Sequence, residues 1–187
     1  MTPEQWQQLD KTVDLKHLIS DLSDSEGVEH YAYDDVTGLR VHAAHGNLSI
    51  GIGRNLDAKP LSLNIIHMIL DEDIREAANI GHYYCPEFWS QHTETVSRAL
   101  IELWFNMGNR FSPTAWPTFF KHLSAKDYKG CAESLVNSRW YTQVQLFRSR
   151  RIILQFDPTY TTLLSHDMER SGSVLCKVQL EHSSNIL

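Results

Sequence analysis

The chain has 187 residues, of which 42% are apolar, and its formal net charge at pH 7 is -6. This length and apolar content suffice for one globular domain with its own core. No stretch approaches the roughly 18 consecutive apolar residues of a membrane-spanning helix, and no apolar run follows a basic start, so we expect neither membrane insertion nor an export signal. The acidic total argues against a general nucleic-acid binder.

The cysteines and the charge distribution narrow the class further. Cys85, Cys131 and Cys176 are too widely spaced to suggest a disulfide framework or a paired metal-ligand motif, which favours a reducing cytoplasm as the place of synthesis. Residues 1–35 hold nine acidic residues against two lysines, whereas residues 110–156 hold eight basic residues against two acids. Two interpretations of this asymmetry are open. The charges belong to solvated helix faces, or the basic region faces an anionic polymer or stabilises a buried acid.

The first part of the chain is predicted to be helical. Apolar residues recur at helical spacing over 15–22, and Gly27 follows, so we predict a helix that ends near Ser25 or Glu26. Similar spacing over 6–13 predicts an earlier helix or an extension of the same one. Glu26 then lies at a helix C-terminus.

The pattern changes to short strands over residues 38–53. The runs LRVH and NLSI are typical of strands, and Gly46-Asn47 between them suits a hairpin turn. We therefore predict a small sheet of two or three strands in this region.

Helical spacing returns after the sheet and dominates the rest of the sequence. A long helix is predicted to begin near Ser62, a second apolar face ends at Gly108, and another covers 128–135. The extension 157–187 contains the alternating run SVLCKVQL, which is consistent with an edge strand or with a frayed tail. The sequence therefore predicts an α+β fold that is mainly helical.

Two carboxylates, Glu26 and Asp35, lie at and shortly after the predicted end of the helix over 15–26. A glycosidase needs one protonated carboxyl group and one ionised carboxylate, and the glycine at position 27 lets the chain fold back so that Glu26 and Asp35 approach within the ~6.5–9.5 Å of an inverting site. The helix C-terminal dipole and neighbouring acids disfavour the ionised form of Glu26, whereas Asp35 lies near a turn with more water and more backbone donors. Two acids at this spacing are, by themselves, more often surface charges.

Ordered motifs resemble a known family. The chain resembles the phage-type lysozymes, the endolysin muramidases of glycoside hydrolase family 24, over roughly residues 15–156. The segments that carry the resemblance are Glu26-Gly27 with Tyr33, Asp35 and Gly38, LSIGIGRNL at 48–56, WFNMG at 104–108, and NSRWY at 137–141 followed by FRSRRI at 147–152.

The resemblance implies a lysozyme-like fold. The whole chain, 1–187, would be a single domain with a small β-hairpin lobe at about 26–60 and a larger helical lobe formed by 1–25 and 61–156. A long helix would join the two lobes, and 157–187 would be a C-terminal extension.

The resemblance also implies an activity. The protein would hydrolyse the β-1,4 bond between N-acetylmuramic acid and N-acetylglucosamine in peptidoglycan, with inversion and without a cofactor or metal. Glu26 matches the general acid, Asp35 the water-activating carboxylate, and Ser49 the usual threonine whose hydroxyl helps to hold the water. The protein would be a monomer made in the cytoplasm of a phage-infected or prophage-bearing bacterium. It would reach the wall in the periplasm through a separate holin-type partner and lyse the cell.

Further residues match substrate-binding positions. Phe105 and Asn106 would line the sugar cleft. Arg148 aligns, after one inserted residue, with the arginine that pairs with the catalytic acid, and Arg150 or Arg151 would serve if the gap is misplaced. Such an arginine favours the ionised form of the acid, whereas burial and the helix end favour the protonated form.

The glycine-rich hairpin departs from the family pattern in its length. Arg54 is expected to pair with Asp73 on the long helix, and Gly51 and Gly53 are expected to adopt positive φ or to permit close backbone approach. The inserted loop 42–47 contains two histidines, which without a third ligand are better interpreted as ordinary loop residues than as a metal site.

Rival functions remain open on the sequence alone. Ser49 and the altered hairpin are compatible with a catalytically weak protein that binds wall glycan, or with an effector that uses the scaffold for a protein partner. A lytic transglycosylase would need the acid at position 26 but no water-activating aspartate.

Overall fold

The structure is a computed structural model that describes residues 1–34, 37–42 and 45–160. Within these residues the chain forms nine α-helices, a short 3-10 turn and one two-stranded antiparallel sheet. The helices are α1 (Pro3–Thr12), α2 (Leu15–Glu26), α3 (Leu63–Tyr84), α4 (Phe88–Gln91), α5 (Glu94–Met107), α6 (Pro117–Ser124), α7 (Tyr128–Val136), α8 (Arg139–Gln143) and α9 (Leu146–Phe156), and the strands are β1 (Ser49–Ile50) and β2 (Arg54–Asn55). The predicted class, α+β and mainly helical, is confirmed.

The chain divides into two compact units, Met1–Asn109 and the residues from Arg110 onward. The predicted lobe boundary near residue 60 falls inside the first unit. Of the predicted extension, residues 161–187, which include the run SVLCKVQL, lie outside the described residues.

The chain begins with two separate helices. The sequence alone did not decide between two helices and one continuous helix. Val13 is extended, with φ -117 and ψ 125, and Asp14 caps the start of α2 by accepting a hydrogen bond from the His17 amide at 3.0 Å. Gly27 ends α2 with φ 80, a value that glycine adopts without steric cost. The predicted end of this helix at Glu26 is therefore confirmed.

The core of the first unit lies between α2, α3 and α5. Ser62 caps α3 as the sequence predicts, and its hydroxyl accepts a hydrogen bond from the Ile65 amide at 3.5 Å. Close approach of α3 to α5 depends on Gly81, because a Cβ atom built there would lie 2.5 Å from the Trp104 ring. The fully buried apolar side chains of these helices include Leu18, Leu22, Ile74, Leu100, Ile101 and Leu103.

The second unit has an aromatic core of its own. Phe119 packs edge-on against Phe111 at 4.9 Å and against Phe156 at 5.5 Å between ring centroids. Leu135, Ile152 and Ile153 are fully buried. None of the helices in the described part of the chain combines the length and the hydropathy that crossing a bilayer requires.

The strand pairing differs from the prediction. Strand β1 pairs with β2, so that Ser49 faces Asn55 and Ile50 faces Arg54. The hairpin turn therefore lies at Gly51 to Gly53, which have φ 58 and 70, and the predicted turn at Gly46-Asn47 is wrong.

We expect Gly81→Ala to lower the thermal midpoint. The added methyl group must displace the Trp104 ring, and overpacking of this kind costs about 1–3 kcal/mol, more than the roughly 1 kcal/mol of helix propensity that alanine gains over glycine. Circular dichroism melting measures the change, with Asn64→Ala on the exposed first turn of α3 as control. A midpoint for Gly81→Ala at or above that of the native protein would contradict the assigned packing.

Candidate active site

Glu26 occupies the last position of α2. Its side chain is exposed. From the sequence we expect burial to favour the protonated form of Glu26, and this burial is not found. The Gly27 amide donates to the Ser23 carbonyl at 3.0 Å, which closes the helix directly after the carboxylate. Glu26 is therefore presented to solvent from a helix end whose last carbonyl groups carry partial negative charge.

Two side chains of α5 fix α2 in place. The Arg98 guanidinium, 8% exposed, lies 3.5 Å from the Asp21 carboxylate on α2 and 3.4 Å from Glu94. The Glu94 carboxylate also accepts a hydrogen bond from the Asp14 amide, the N-cap residue of α2, at 3.2 Å. These contacts hold α2 at its start and near its middle, and they fix the orientation of the helix that ends at Glu26.

The segment after Glu26 is tied to the start of α3. The Leu61 amide donates to the His30 carbonyl at 2.9 Å, and the His30 ring Nδ1 lies 2.6 Å from the Leu61 carbonyl oxygen. Because a carbonyl oxygen only accepts, Nδ1 must carry the proton. Farther along, Tyr33 forms an isolated antiparallel bridge with Arg40. Asp35, the predicted second carboxylate, lies outside the described residues.

Ser49 is the first residue of β1 and is exposed. Its hydroxyl makes no hydrogen bond within the described part of the chain. It is therefore able to bind a water molecule or a ligand, as its predicted role requires.

Asp57 organises the hairpin around its carboxylate. Oδ2 accepts a hydrogen bond from the Leu48 amide at 2.6 Å, and Oδ1 lies 2.9 Å from His42 Nδ1. Arg40 donates to the Asp57 carbonyl at 2.6 Å and stacks 3.6 Å from the Tyr31 ring centroid. The Leu48 amide is the main reason that the pKa of Asp57 lies below its usual range, with a smaller contribution from His42.

The predicted pairing of Arg54 with Asp73 is wrong. Arg54 instead donates to the Pro60 carbonyl at 2.6 Å, two residues before the N-cap of α3. The pKa of Asp73 is raised, first by partial burial and then by Glu76 and Glu72 on the same helix. The clamp between the hairpin and the long helix is therefore a hydrogen bond to backbone.

The predicted substrate-binding residues fall in both units. Phe105 and Asn106 lie in the last turn of α5, and Phe105 lines a groove of about 270 Å³ with Asp73 and Glu76. Arg148 lies in α9 of the second unit and is buried. The first unit thus contains Glu26, Ser49, Phe105 and Asn106, and the expected pairing of Arg148 with Glu26 stays a prediction.

Several positioning residues were missed by sequence reasoning. Arg98 carried no signal in the predicted apolar stripe, because it lies on the face of α5 opposite Val96 and Leu103. Asp57 and His30 carried none, since their partners are distant in sequence. Across the described ranges there is no group of three or more histidine, cysteine, aspartate or glutamate residues that could hold a metal ion.

Comparison with described protein families finds no match for this sequence, and a search of curated proteins finds none that is similar to it. The resemblance to phage-type lysozymes therefore rests on the short sequence motifs alone, which occur here in the same order as in that family.

We expect Asp57→Ala to remove the hydrogen-exchange protection of the Leu48 amide at neutral pH. Because the pKa of Asp57 is lowered in the folded state, its carboxylate stabilises the folded hairpin at any pH above the pKa of the unfolded chain, about 3.9. This stabilisation is lost as the pH falls through the pKa of the folded state. Protection factors from NMR measure the effect, with the exposed Asp24→Ala as control. Equal protection in native protein and Asp57→Ala would contradict the role of this carboxylate.

We expect Asp73→Asn to stabilise the protein at neutral pH. Because the pKa of Asp73 is raised in the folded state, the ionised carboxylate is unfavourable there. The stability of the protein therefore falls as the pH rises from the pKa of Asp73 in the unfolded chain through its pKa in the folded state. Removing one like charge on a helix is worth roughly 0.2–0.5 kcal/mol, further reduced by solvent screening. Chemical denaturation should show this gain near neutral pH and its disappearance under acid conditions; a gain that persists in acid would refute the electrostatic cause.

Proposed function

We propose that the protein is a lysozyme-like muramidase that hydrolyses the β-1,4 bond between N-acetylmuramic acid and N-acetylglucosamine in bacterial peptidoglycan. The observation that carries this proposal is the exposed carboxylate of Glu26 at the glycine-terminated end of α2. Arg98 and Glu94 hold α2 through Asp21 and Asp14, in the unit that also contains the Ser49 hairpin. A general acid must be presented to its substrate from a rigid element, and α2 meets this condition.

Each residue has a defined part in the proposed reaction. Protonated Glu26 gives its proton to the glycosidic oxygen as the bond to the sugar carbon breaks. Asp35 removes a proton from the attacking water on the opposite face, and the Ser49 hydroxyl helps to hold that water. Inversion follows, because the water attacks directly and no glycosyl-enzyme intermediate forms.

The remaining parts of the proposal follow from the motif resemblance. Phe105 and Asn106 would contact the sugar strand, and Arg148 would steady the acid. The protein would act as a monomer on the cell wall, in the periplasm of a bacterium that carries a phage or prophage, and a holin-type partner would give it access.

We expect Glu26→Gln to reduce the release of new reducing ends from purified peptidoglycan by roughly 10²–10⁴-fold, the usual contribution of a general acid. Glu29→Gln, which removes another exposed carboxylate three residues later, is the matched control and should retain activity. Circular dichroism confirms that both variants fold.

The products separate the rival functions. Native protein that binds peptidoglycan but releases no reducing ends at any pH would be a glycan binder. Anhydro-muramic ends in place of reducing ends would identify a lytic transglycosylase. Equal activity of native protein and Glu26→Gln would remove this glutamate from the mechanism.

A further inference from the structure

The second unit contains a groove of about 510 Å³ along α6 and α7. None of the residues assigned to hydrolysis lines it. Its walls include one aromatic side chain and several polar ones: Trp116, His122, Glu133, Ser134 and Asn137. A concave surface that combines an aromatic ring with convergent polar groups is typical of a ligand site.

Trp116 forms a rigid wall of the groove. It occupies the N-cap position of α6, and Pro117 at the first helical position restricts the backbone that follows. Phe111 packs edge-on against the indole at 5.3 Å and Phe119 at 6.5 Å, so both the position and the tilt of the ring are fixed. The side chain is only half-buried, and its indole N–H makes no hydrogen bond to any residue that the structure describes.

His122 is oriented by its neighbours on α7. Its Nδ1 lies 2.7 Å from Oδ2 of Asp127, whose Oδ1 accepts a hydrogen bond from the Gly130 amide at 3.0 Å. The Gly130 amide and the His122 contact lower the pKa of Asp127, so this carboxylate is ionised and Nδ1 is the donor. A side chain at Gly130 would collide with the imidazole, so the ring rests directly on the α7 backbone. Nε2 makes no hydrogen bond within the described ranges and remains available to a ligand.

Three polar side chains, two on α7 and one at its C-cap, complete the groove. Glu133 and Asn137 are one helical turn apart on the same face, and Ser134 lies beside them. The side chains of Glu133, Ser134 and Asn137 make no hydrogen bond or ion pair to other described residues. Among the residues that line the groove, Glu133 carries a carboxylate, which disfavours an anionic ligand.

We propose that this groove binds a neutral saccharide ring. The apolar face of a pyranose packs on a fixed indole, while its hydroxyl groups need the mixture of donors and acceptors that Glu133, Ser134, Asn137 and His122 supply. A purely apolar ligand would leave these groups unpaired, and an anion would be repelled by Glu133. None of the assigned hydrolytic residues lines the groove, and the inference does not depend on the proposed function.

Titration of the full chain with chitotetraose, a neutral oligomer of N-acetylglucosamine, tests the proposal by NMR. The Glu26→Gln background prevents hydrolysis, and the Trp116 indole and Asn137 side-chain amide report on the groove. We expect saturable shifts of both signals at millimolar sugar. Binding should be at least fivefold weaker in Asn137→Ala, read at the Trp116 indole, and in Trp116→Ala, read at the Asn137 side-chain amide. Asn137 is exposed, and its side chain makes no hydrogen bond to the residues that the structure describes, so we expect its substitution to leave the fold intact. Asn64→Ala on α3 is the matched control.

Several outcomes would overturn the proposal. The proposal is wrong if the Trp116 and Asn137 signals stay unchanged at saturating sugar. It is also wrong if Asn137→Ala binds the sugar as tightly as the Asn64→Ala control. Preferential binding of a lysine-containing tripeptide at the same reporters would mark the groove as a site for a peptide amine instead. Sugar binding here by a native protein that releases no reducing ends would support the groove while refuting the muramidase proposal.

Discussion

The buried guanidinium of Arg98 is the constraint on which the position of Glu26 depends. It lies between Asp21 on α2 and Glu94 on its own helix, and Glu94 also holds the N-cap residue Asp14. A buried ion pair adds little net stability over apolar packing, but breaking one costs about 3–5 kcal/mol because a charge is left without its partner. Rotation of α2 about its axis would break this pair. The network therefore specifies orientation more than it adds stability, and a general acid at a helix end needs that orientation.

The residues described between α2 and α3 are held differently. Apolar side chains there are exposed, with Leu39 at 69%, Ile50 at 53% and Ile52 at 108%, so no core supports this segment. Hydrogen bonds to Asp57 and between His30 and Leu61 hold it instead. Each such bond contributes about 0.5–1.5 kcal/mol, so the segment should open more readily than the helices. A rigid helix end together with an adaptable hairpin suits the proposed hydrolysis, in which the site must admit a polymer.

Local signals predicted the helix ends well. Gly27, Ser62 and Gly108 each act on the adjacent turn through backbone conformation or a capping hydroxyl, and all three were placed correctly from the sequence. The hairpin register was not predictable, because Gly46, Gly51 and Gly53 all adopt positive φ and each could form a turn. Contacts between Leu48 and residues 56–57 select the register, and nothing local encodes them. The wrong partner for Arg54 has the same origin, since a backbone carbonyl leaves no trace in sequence.

The most direct test of the account is a crystal structure of Glu26→Gln bound to a peptidoglycan saccharide. We expect the side-chain amide at position 26 to lie within about 2.6–3.2 Å of a glycosidic oxygen, the distance that proton transfer requires. The Asp35 carboxylate and the Ser49 hydroxyl should lie across the sugar ring from it. A saccharide seated away from position 26, or an Asp35 side chain that faces away from the bound sugar, would contradict the account.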